Sequence, residues 1–432
     1  MIGAAETWNL LLSCASTAFT QPSLALFRDL ATAWVLCPGR RTVTRMIRVA
    51  DPQGRRAHDS YHRFLRAGAW SMTTLWRVIA LRMVATLSLN SRVLRLDLDD
   101  TLFHKSGRKV EGAGNFRDAV RSTGQRVVYA LGLNLVVLTL RVTAPWGGEP
   151  LGLPINLRLY RKGGPSHLDL AKAMIQEVSI WFPDKRFDLA CDGAYASLAG
   201  RALPRTHVTS RMRRDAALYE LPAQRKKGQR GRPAKKGRRL PTPERIALNT
   251  RKGWLRAVVD VRGKSVERLL LCRSVLWYQV CPNNLVLLVI VRDPAGIQHD
   301  DFFFTTDLTV TGSSVAGHYA GRWSIEDTYR NVKQFLGGED PQSWKAQGPE
   351  RAAALSFWIY AAIWTWYITT QGTKQSWNVL PWYTTKRTPS FADALASLRS
   401  TLWHQRLFNG SDSKPLPQKS AAVLIDILAR AA

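Results

Sequence analysis

Between residues 92 and 160 three runs rich in leucine and branched side chains follow one another: "RVLRLDLDD", "QRVVYALGLNLVVLTLRV" and "EPLGLPINLRLYRK". Their texture is that of strands, with turn residues between them. An amphipathic run, "SHLDLAKAMIQEVSIWF", comes next, and then a short buried strand, "RFDLACDGAYAS". Three neighbouring strands, a helix, a strand and a helix predict a mixed α/β sheet flanked by helices rather than strict strand–helix alternation.

The flanks have other textures. Residues 1–90 look helical, with apolar residues at three- and four-residue spacing in "SLALFRDLATAWVL" and "SMTTLWRVIALRMVATL". Basic residues crowd the stretch between them, which suits a helical DNA-binding head. The sheet's first part is expected over 91–200. A basic and strand-rich insertion is expected over 201–310, with "WLRAVVDV", "ERLLLCRSVLWYQV" and "NLVLLVIVRD" as its strands. Residues 311–345 hold one more core helix, and 346–432 a helical C-terminal region. Within the last, 352–370 carries no charge over about a membrane-spanning length. Trp and Tyr are spread through its middle, so a buried helix is expected and no membrane partner.

Charge narrows the function. Lys and Arg total 62 against 32 acidic residues, a formal net charge of +30. Such a field attracts polyanions, so nucleic acid is the expected partner, and an enzyme of small metabolites has no use for it. Five scattered cysteines, none in C-x-x-C spacing, fit a reducing cytoplasm and neither a disulfide framework nor a zinc site. The opening "MIGAAETWNLLLSCASTAF" has an acidic residue where a signal peptide wants basic ones and reads as a helix.

Residues 319–338, "YAGRWSIEDTYRNVKQFLGG", predict one helix stopped by Gly337-Gly338. At about 100° per residue Tyr319, Arg322, Glu326 and Lys333 share a sector of roughly 60°. A carboxylate beside a guanidinium, an ammonium and a phenol suits a divalent ion together with a phosphate backbone. A solvated amphipathic helix has the same spacing.

This constellation resembles the signature around the third acid of one large group of DDE-type insertion-sequence transposases: Tyr, two residues, Arg, three residues, Glu, six residues, Lys. "DLDDTLFHKSGRKVEG" resembles that family's first-acid segment, whose register picks Asp99, with Asp100 as the less favoured ligand. "FDLACDGAYAS" resembles the second, giving Asp192 at a strand end. The resemblance spans about 92–345 in pattern and implies an RNase H-like catalytic core interrupted by a β-rich insertion. It implies two Mg²⁺ ions, or Mn²⁺ as substitute, held by Asp99, Asp192 and Glu326. It implies cleavage at transposon terminal inverted repeats and joining to target DNA, often through a hairpin intermediate. A homodimer on double-stranded DNA and a bacterial, nucleoid-associated location follow from the same resemblance.

Tyr319, Arg322 and Lys333 would then grip the terminal phosphates, with Lys105 near the first acid. The tract 224–239 adds Arg225, Lys226, Lys227, Arg230, Arg232, Lys235, Lys236, Arg238 and Arg239. "RGRP" at 230–233 resembles an AT-hook core, although a phosphate-binding tail is the simpler reading. Trp254 and Trp277 are candidates to stack on a flipped base, with packing in a core as the competing role.

Two other readings stay open. A catalytically silent DNA-binding relative would keep the same residues. A haloacid-dehalogenase-type phosphatase would use Asp97 as nucleophile and Asp99 as acid/base in "DLDDT", with Lys185 and Asp192-Gly193 downstream. That family also needs a second acid soon after the Gly-Asp pair, and none follows. In the transposase reading Asp97 is a mere strand residue whose replacement costs little.

Overall fold

The computed structural model describes residues 3–88, 90–223, 232–372, 377, 379, 381–408 and 418–431. Five helices come first: α1 (Ala4–Ser13), α2 (Gln21–Leu36), α3 (Val43–Ala50), α4 (His58–Ala67) and α5 (Met72–Leu87). Thr42 and Ser71 cap α3 and α5 through their hydroxyls, which satisfies backbone N–H groups that have no partner inside a helix.

The sheet then begins with β1 (Val93–His104), β2 (Gly114–Arg117), β3 (Tyr129–Val142) and β4 (Leu151–Tyr160). β3 is buried without interruption from Gly132 to Val142, the pattern of a strand covered on both faces. Helix α6 (His167–Trp181) opens on a reciprocal capping box between Ser166 and Asp169. It leads into β5 (Arg186–Cys191), a short 3-10 turn (Gly193–Gly200) in place of the expected helix, and β6 (Thr206–Arg211).

β1 pairs antiparallel with β3 and β3 antiparallel with β4, while β1–β5 and β5–β6 are parallel. The order β4-β3-β1-β5-β6 is that of an RNase H-like sheet, with β2 continuing the β4 edge of β3. An antiparallel β1–β3 pair at the centre is foreign to the alternating parallel sheet that the phosphatase reading requires.

Next come α7 (Pro243–Asn249), β7 (Leu255–Val261), β8 (Lys264–Val275), β9 (Val286–Arg292) and β10 (Asp301–Thr305). The three strands expected of the insertion are all present, but they do not form a separate sheet. β10 pairs antiparallel with β6, and the order runs on as β6-β10-β9-β8-β7, giving one ten-stranded sheet. The tip of the β7–β8 hairpin returns to the β3–β4 turn. There Arg262 pairs with Glu149 at 2.7 Å and Gly263 lies so close to Gly148 that a Cβ would stand 2.5 Å from its carbonyl oxygen.

Helix α8 (Gly312–Gly321), α9 (Ser324–Gln334), α10 (Gly348–Gln371), α11 (Phe391–Phe408) and α12 (Gln418–Arg430) complete the described chain. The single helix expected over 319–338 is therefore broken at Arg322-Trp323. α10 is long and apolar enough to cross a membrane, and 94% of its most apolar window is buried inside the protein. It packs against α4, α5 and β4, and one continuous apolar core joins α1–α5, the RNase H-like strands, α10 and α11. Two smaller cores lie on either side of β8–β10. One centres on Trp277, Ile246 and Phe304, the other on Val289, Phe303 and α8.

Candidate active site

Parallel pairing of β1 and β5 ends at Leu98 opposite Cys191. The next residues, Asp99 and Asp192, therefore stand side by side: Asp192 follows the last residue of β5, while β1 runs on through Asp99 to His104 against β3. Asp192 starts the 3-10 turn, and its carbonyl accepts from the Tyr195 N–H (2.9 Å) and the Ser210 hydroxyl (3.0 Å).

Glu326 arrives from the first turn of α9. That helix is seated by the Thr328 hydroxyl, which donates to the Gly152 carbonyl at 2.6 Å, and by buried Ile325 and Val332. Gly152 permits the approach, because a Cβ there would stand 2.9 Å from the Ser324 carbonyl oxygen. The Ser324 hydroxyl donates to Asp97 (3.1 Å).

Arg322 sits in the break between α8 and α9, among the acids. Its guanidinium donates to Asp99 Oδ2 at 2.5 Å and lies 3.7 Å from Glu326 Oε1. Burial disfavours its charge, but Asp99, Tyr319, Glu326 and Asp192 outweigh that and raise its pKa further. Burial pushes the Asp99 carboxyl up to about 7; Arg322 opposes the shift, and Glu326 and Asp100 add to it. The guanidinium thus offsets only part of what burial costs the Asp99 carboxylate.

Tyr319 is buried at the end of α8, stacked on Phe303 with centroids 4.5 Å apart and with Arg322 5.5 Å above its ring. Burial pushes its hydroxyl up to about 12. Lys333 lies over the Phe103 ring, and burial lowers its ammonium against the pull of Glu339, Asp118 and Glu326. Tyr319, Arg322 and Glu326 therefore stay together even though they do not share one helix, while Lys333 lies farther along β1, over Phe103. The break itself aims Arg322 at the strand.

Asp100 points the other way, as alternation along a strand demands. It accepts from the Tyr195 hydroxyl (3.0 Å) and the Asn134 amide (3.2 Å), so its carboxylate is committed to a network beneath Asp192. Asp97 shares the face of Asp99 but is wholly buried, in a two-pronged ion pair with Arg141 whose Nε–Oδ2 arm is 3.0 Å. Asp97 thus has a structural partner that the sequence reading did not assign, and its burial leaves no access for a phosphatase nucleophile. The missed signal was Arg141 itself. One cation inside the apolar run "LNLVVLTLRV" calls for a buried acid partner.

Among the described residues no three acidic, histidine or cysteine side chains are gathered tightly enough to form a closed metal cage. The donor chemistry nevertheless suits a hard divalent cation, since Asp99, Asp192 and Glu326 offer carboxylate oxygens alone. The Arg322 Nε and the Tyr329 hydroxyl are buried without a partner. Burial first, and then the charges of Asp99, Asp100 and Glu326, raise the Tyr329 hydroxyl, so the cluster has unmet polar capacity beside its carboxylates.

The other candidates fall elsewhere. Lys105 Nζ donates to the Glu339 and Pro341 carbonyls (2.7 and 3.2 Å) and is turned inward, its pKa lowered by burial to about 8. Trp277 is buried edge-on against Phe304. Trp254 donates to the Thr250 carbonyl at 2.8 Å and is roofed by Arg292 at 4.1 Å. Both tryptophans serve the packing of the sheet extension. Arg225, Lys226, Lys227 and Arg230 lie outside the described residues. Arg232 and Lys235 are exposed, Arg238 pairs with Glu220, and Arg239 bridges to Tyr219 through the backbone. Lys236 stands over the Tyr219 ring at 4.3 Å.

A family model described as DDE superfamily endonuclease matches residues 17–279. The match takes in Asp99 and Asp192 and ends before Glu326. No curated protein matches the chain.

Proposed function

The chain belongs to the DDE superfamily endonucleases, and from that premise we propose that it is a DNA transposase, cutting the ends of its element and joining them to target DNA. The observation that carries this reading is the gathering of Asp99, Asp192 and Glu326 around Arg322, where the pairing of β1 with β5 ends.

In this reading Asp99, Asp192 and Glu326 hold divalent ions, Mg²⁺ or Mn²⁺. When bound, such ions supply Lewis acidity for in-line attack by water or a 3′-hydroxyl on a phosphodiester. The chain's own groups do the rest. Asp99 would serve as a ligand in its deprotonated form, and Arg322, sharing that carboxylate with the ion, would have donors left to face a phosphate oxygen. Buried Tyr319 holds that guanidinium at the mouth of the site, and Lys333 sets a second cation beside Glu326. The Asp100–Tyr195 bond fixes the turn that begins with Asp192.

Double-stranded DNA is the partner, as terminal repeats and as target, and the active form is a homodimer on DNA. Exposed Arg45, Arg48, Arg63 and Arg66 on α3 and α4 and the basic tract 224–239 supply backbone contacts. We retain 1–90 as the DNA-binding region, 91–200 with 311–345 as the catalytic core, 201–310 as the sheet extension and 346–432 as the helical support.

The test is nicking of the element's own end DNA with Mn²⁺. Cleavage by the parent protein, lost in Glu326→Ala with end binding retained, is expected. Full nicking by Glu326→Ala overturns the assignment.

A further inference from the structure

The segment after α9 is held with unusual care. At one end Lys105 donates to the Glu339 and Pro341 carbonyls. At the other the Glu111 N–H donates to the Trp344 carbonyl (2.9 Å) and the Glu111 carboxylate accepts from the Ala346 N–H (3.1 Å). Ala346 adopts φ +51°, a left-handed conformation that a non-glycine residue keeps only when its surroundings enforce it. What this fixed segment presents is an indole: Trp344 is 47% exposed.

The indole divides two clefts. One, of about 470 Å³, runs between Arg40, Arg108, Lys109 and Trp344; the other, of about 620 Å³, lies between Trp344, Lys109, Lys345 and Arg66. Lys345 stands 4.5 Å from the ring centroid. The acids nearby are already engaged, Glu339 by the His104 backbone and ring and Glu111 by Ala346. Arg108 and Lys109 make no ion pair among the described residues. The clefts are therefore positively charged, with an aromatic wall.

We propose that these clefts bind an unpaired stretch of a nucleic-acid strand, with Trp344 as the platform on which a base stacks. The inference rests on the DNA reading above and assigns a separate subsite to it. A duplex has its base faces covered, whereas an unpaired base can lay its ring on an exposed indole while nearby cations meet its phosphates. The subsite lies beyond the end of β1, five residues from Asp99 to His104 and about 17 Å along the strand. Lys333, over the Phe103 ring on that stretch of β1, feels the charges of Glu339 and Glu326.

The experiment compares equilibrium binding of a blunt duplex carrying the element's end with the same duplex bearing an unpaired tail of about ten nucleotides. Wild-type protein, Trp344→Ala and Trp344→Phe are tested after matching their melting temperatures. The wild type should prefer the tailed DNA by about tenfold. Trp344→Ala should lose that preference with blunt affinity unchanged, and Trp344→Phe should keep most of it. The double variant Arg108→Ala/Lys109→Ala should flatten the salt dependence for tailed DNA by about 0.7 for each phosphate it no longer neutralises. Survival of the preference in Trp344→Ala, or its absence in the wild type, overturns the subsite alone. Failure of the wild type to bind either DNA overturns the transposase reading and the subsite with it.

Discussion

Asp97 and Arg141 face each other across β1 and β3 as a fully buried ion pair, two residues along the strand from Asp99. Both arms of the guanidinium are committed: Nε and one terminal nitrogen to Asp97, the other terminal nitrogen to the His318 carbonyl at 2.7 Å. Two aspartates on one strand face thus have different partners, one locked to Arg141 inside the fold and one shared with Arg322 at the site.

Asp97→Asn should therefore act on stability. Removing one partner strands a buried charge, at a cost of about 3–5 kcal/mol. Urea unfolding should show the loss, while Asp99→Asn unfolds near the parent and loses Mn²⁺-dependent nicking. A variant Asp97→Asn as stable as the parent contradicts the assigned role.

Alanine at Asp99, Asp192 or Glu326 should each abolish nicking with end-DNA binding nearly intact. Asp100→Asn, which keeps the hydrogen-bonding shape beneath Asp192, should retain measurable cleavage at raised Mn²⁺. Gel-resolved nicking over a metal titration separates the two classes.

The pH dependence of metal binding follows from Asp99. Its folded pKa of about 7 lies above the ordinary 3.8. In the metal-free protein the stability it contributes is therefore present at low pH and lost as pH rises from about 4 through 7. Ligation needs the deprotonated form, so apparent affinity should fall by up to about tenfold per unit below pH 7. Melting shifts induced by Mn²⁺ should be larger at pH 8 than at pH 6, and Asp99→Asn should erase that difference.

His318 predicts an acid limb in stability. Burial, with Arg141 and Arg95 nearby, holds its imidazole well below 6.5. The unfolded chain takes up a proton near 6.5 and the folded one does not, so this group's stability is in place above 6.5 and lost as pH falls below it. His318→Gln should flatten that part of the unfolding profile. An unchanged slope between pH 6.5 and 5 counts against a buried neutral imidazole.

Deleting 224–239 should weaken duplex binding and reduce the salt slope by about 0.9 for each phosphate left without its cation. Unchanged affinity and slope would make the tract a bystander.

Local pattern carried much of this in the sequence. Asp99 and Asp192 stood out because "DLDDTLFHKSGRKVEG" and "FDLACDGAYAS" resemble the first- and second-acid segments of a known family. The burial of α10 followed from its tryptophans. Long-range pairing was not legible. Nothing local in "DFFFT" says that β10 would join β6 and merge the insertion with the core sheet. Nor does "GRWSIE" announce a broken helix, because the break is stabilised by Arg322 reaching Asp99 and Ser324 reaching Asp97, residues more than two hundred positions away.

The helices at the two ends of the chain are stitched through one another: Trp366 donates to the Ala4 carbonyl (2.8 Å), Arg399 to the Val35 carbonyl (2.7 Å), and Trp34 to Leu336 just past α9 (2.8 Å). Such a molecule does not evolve by exchanging its head. A recombinant that took its first ninety residues from a relative would inherit a surface cut for another partner, with indole N–H groups facing the wrong carbonyls. On the DNA-binding role proposed for the first of these helices, new specificity is then expected by point change on exposed faces, or by acquiring both ends together.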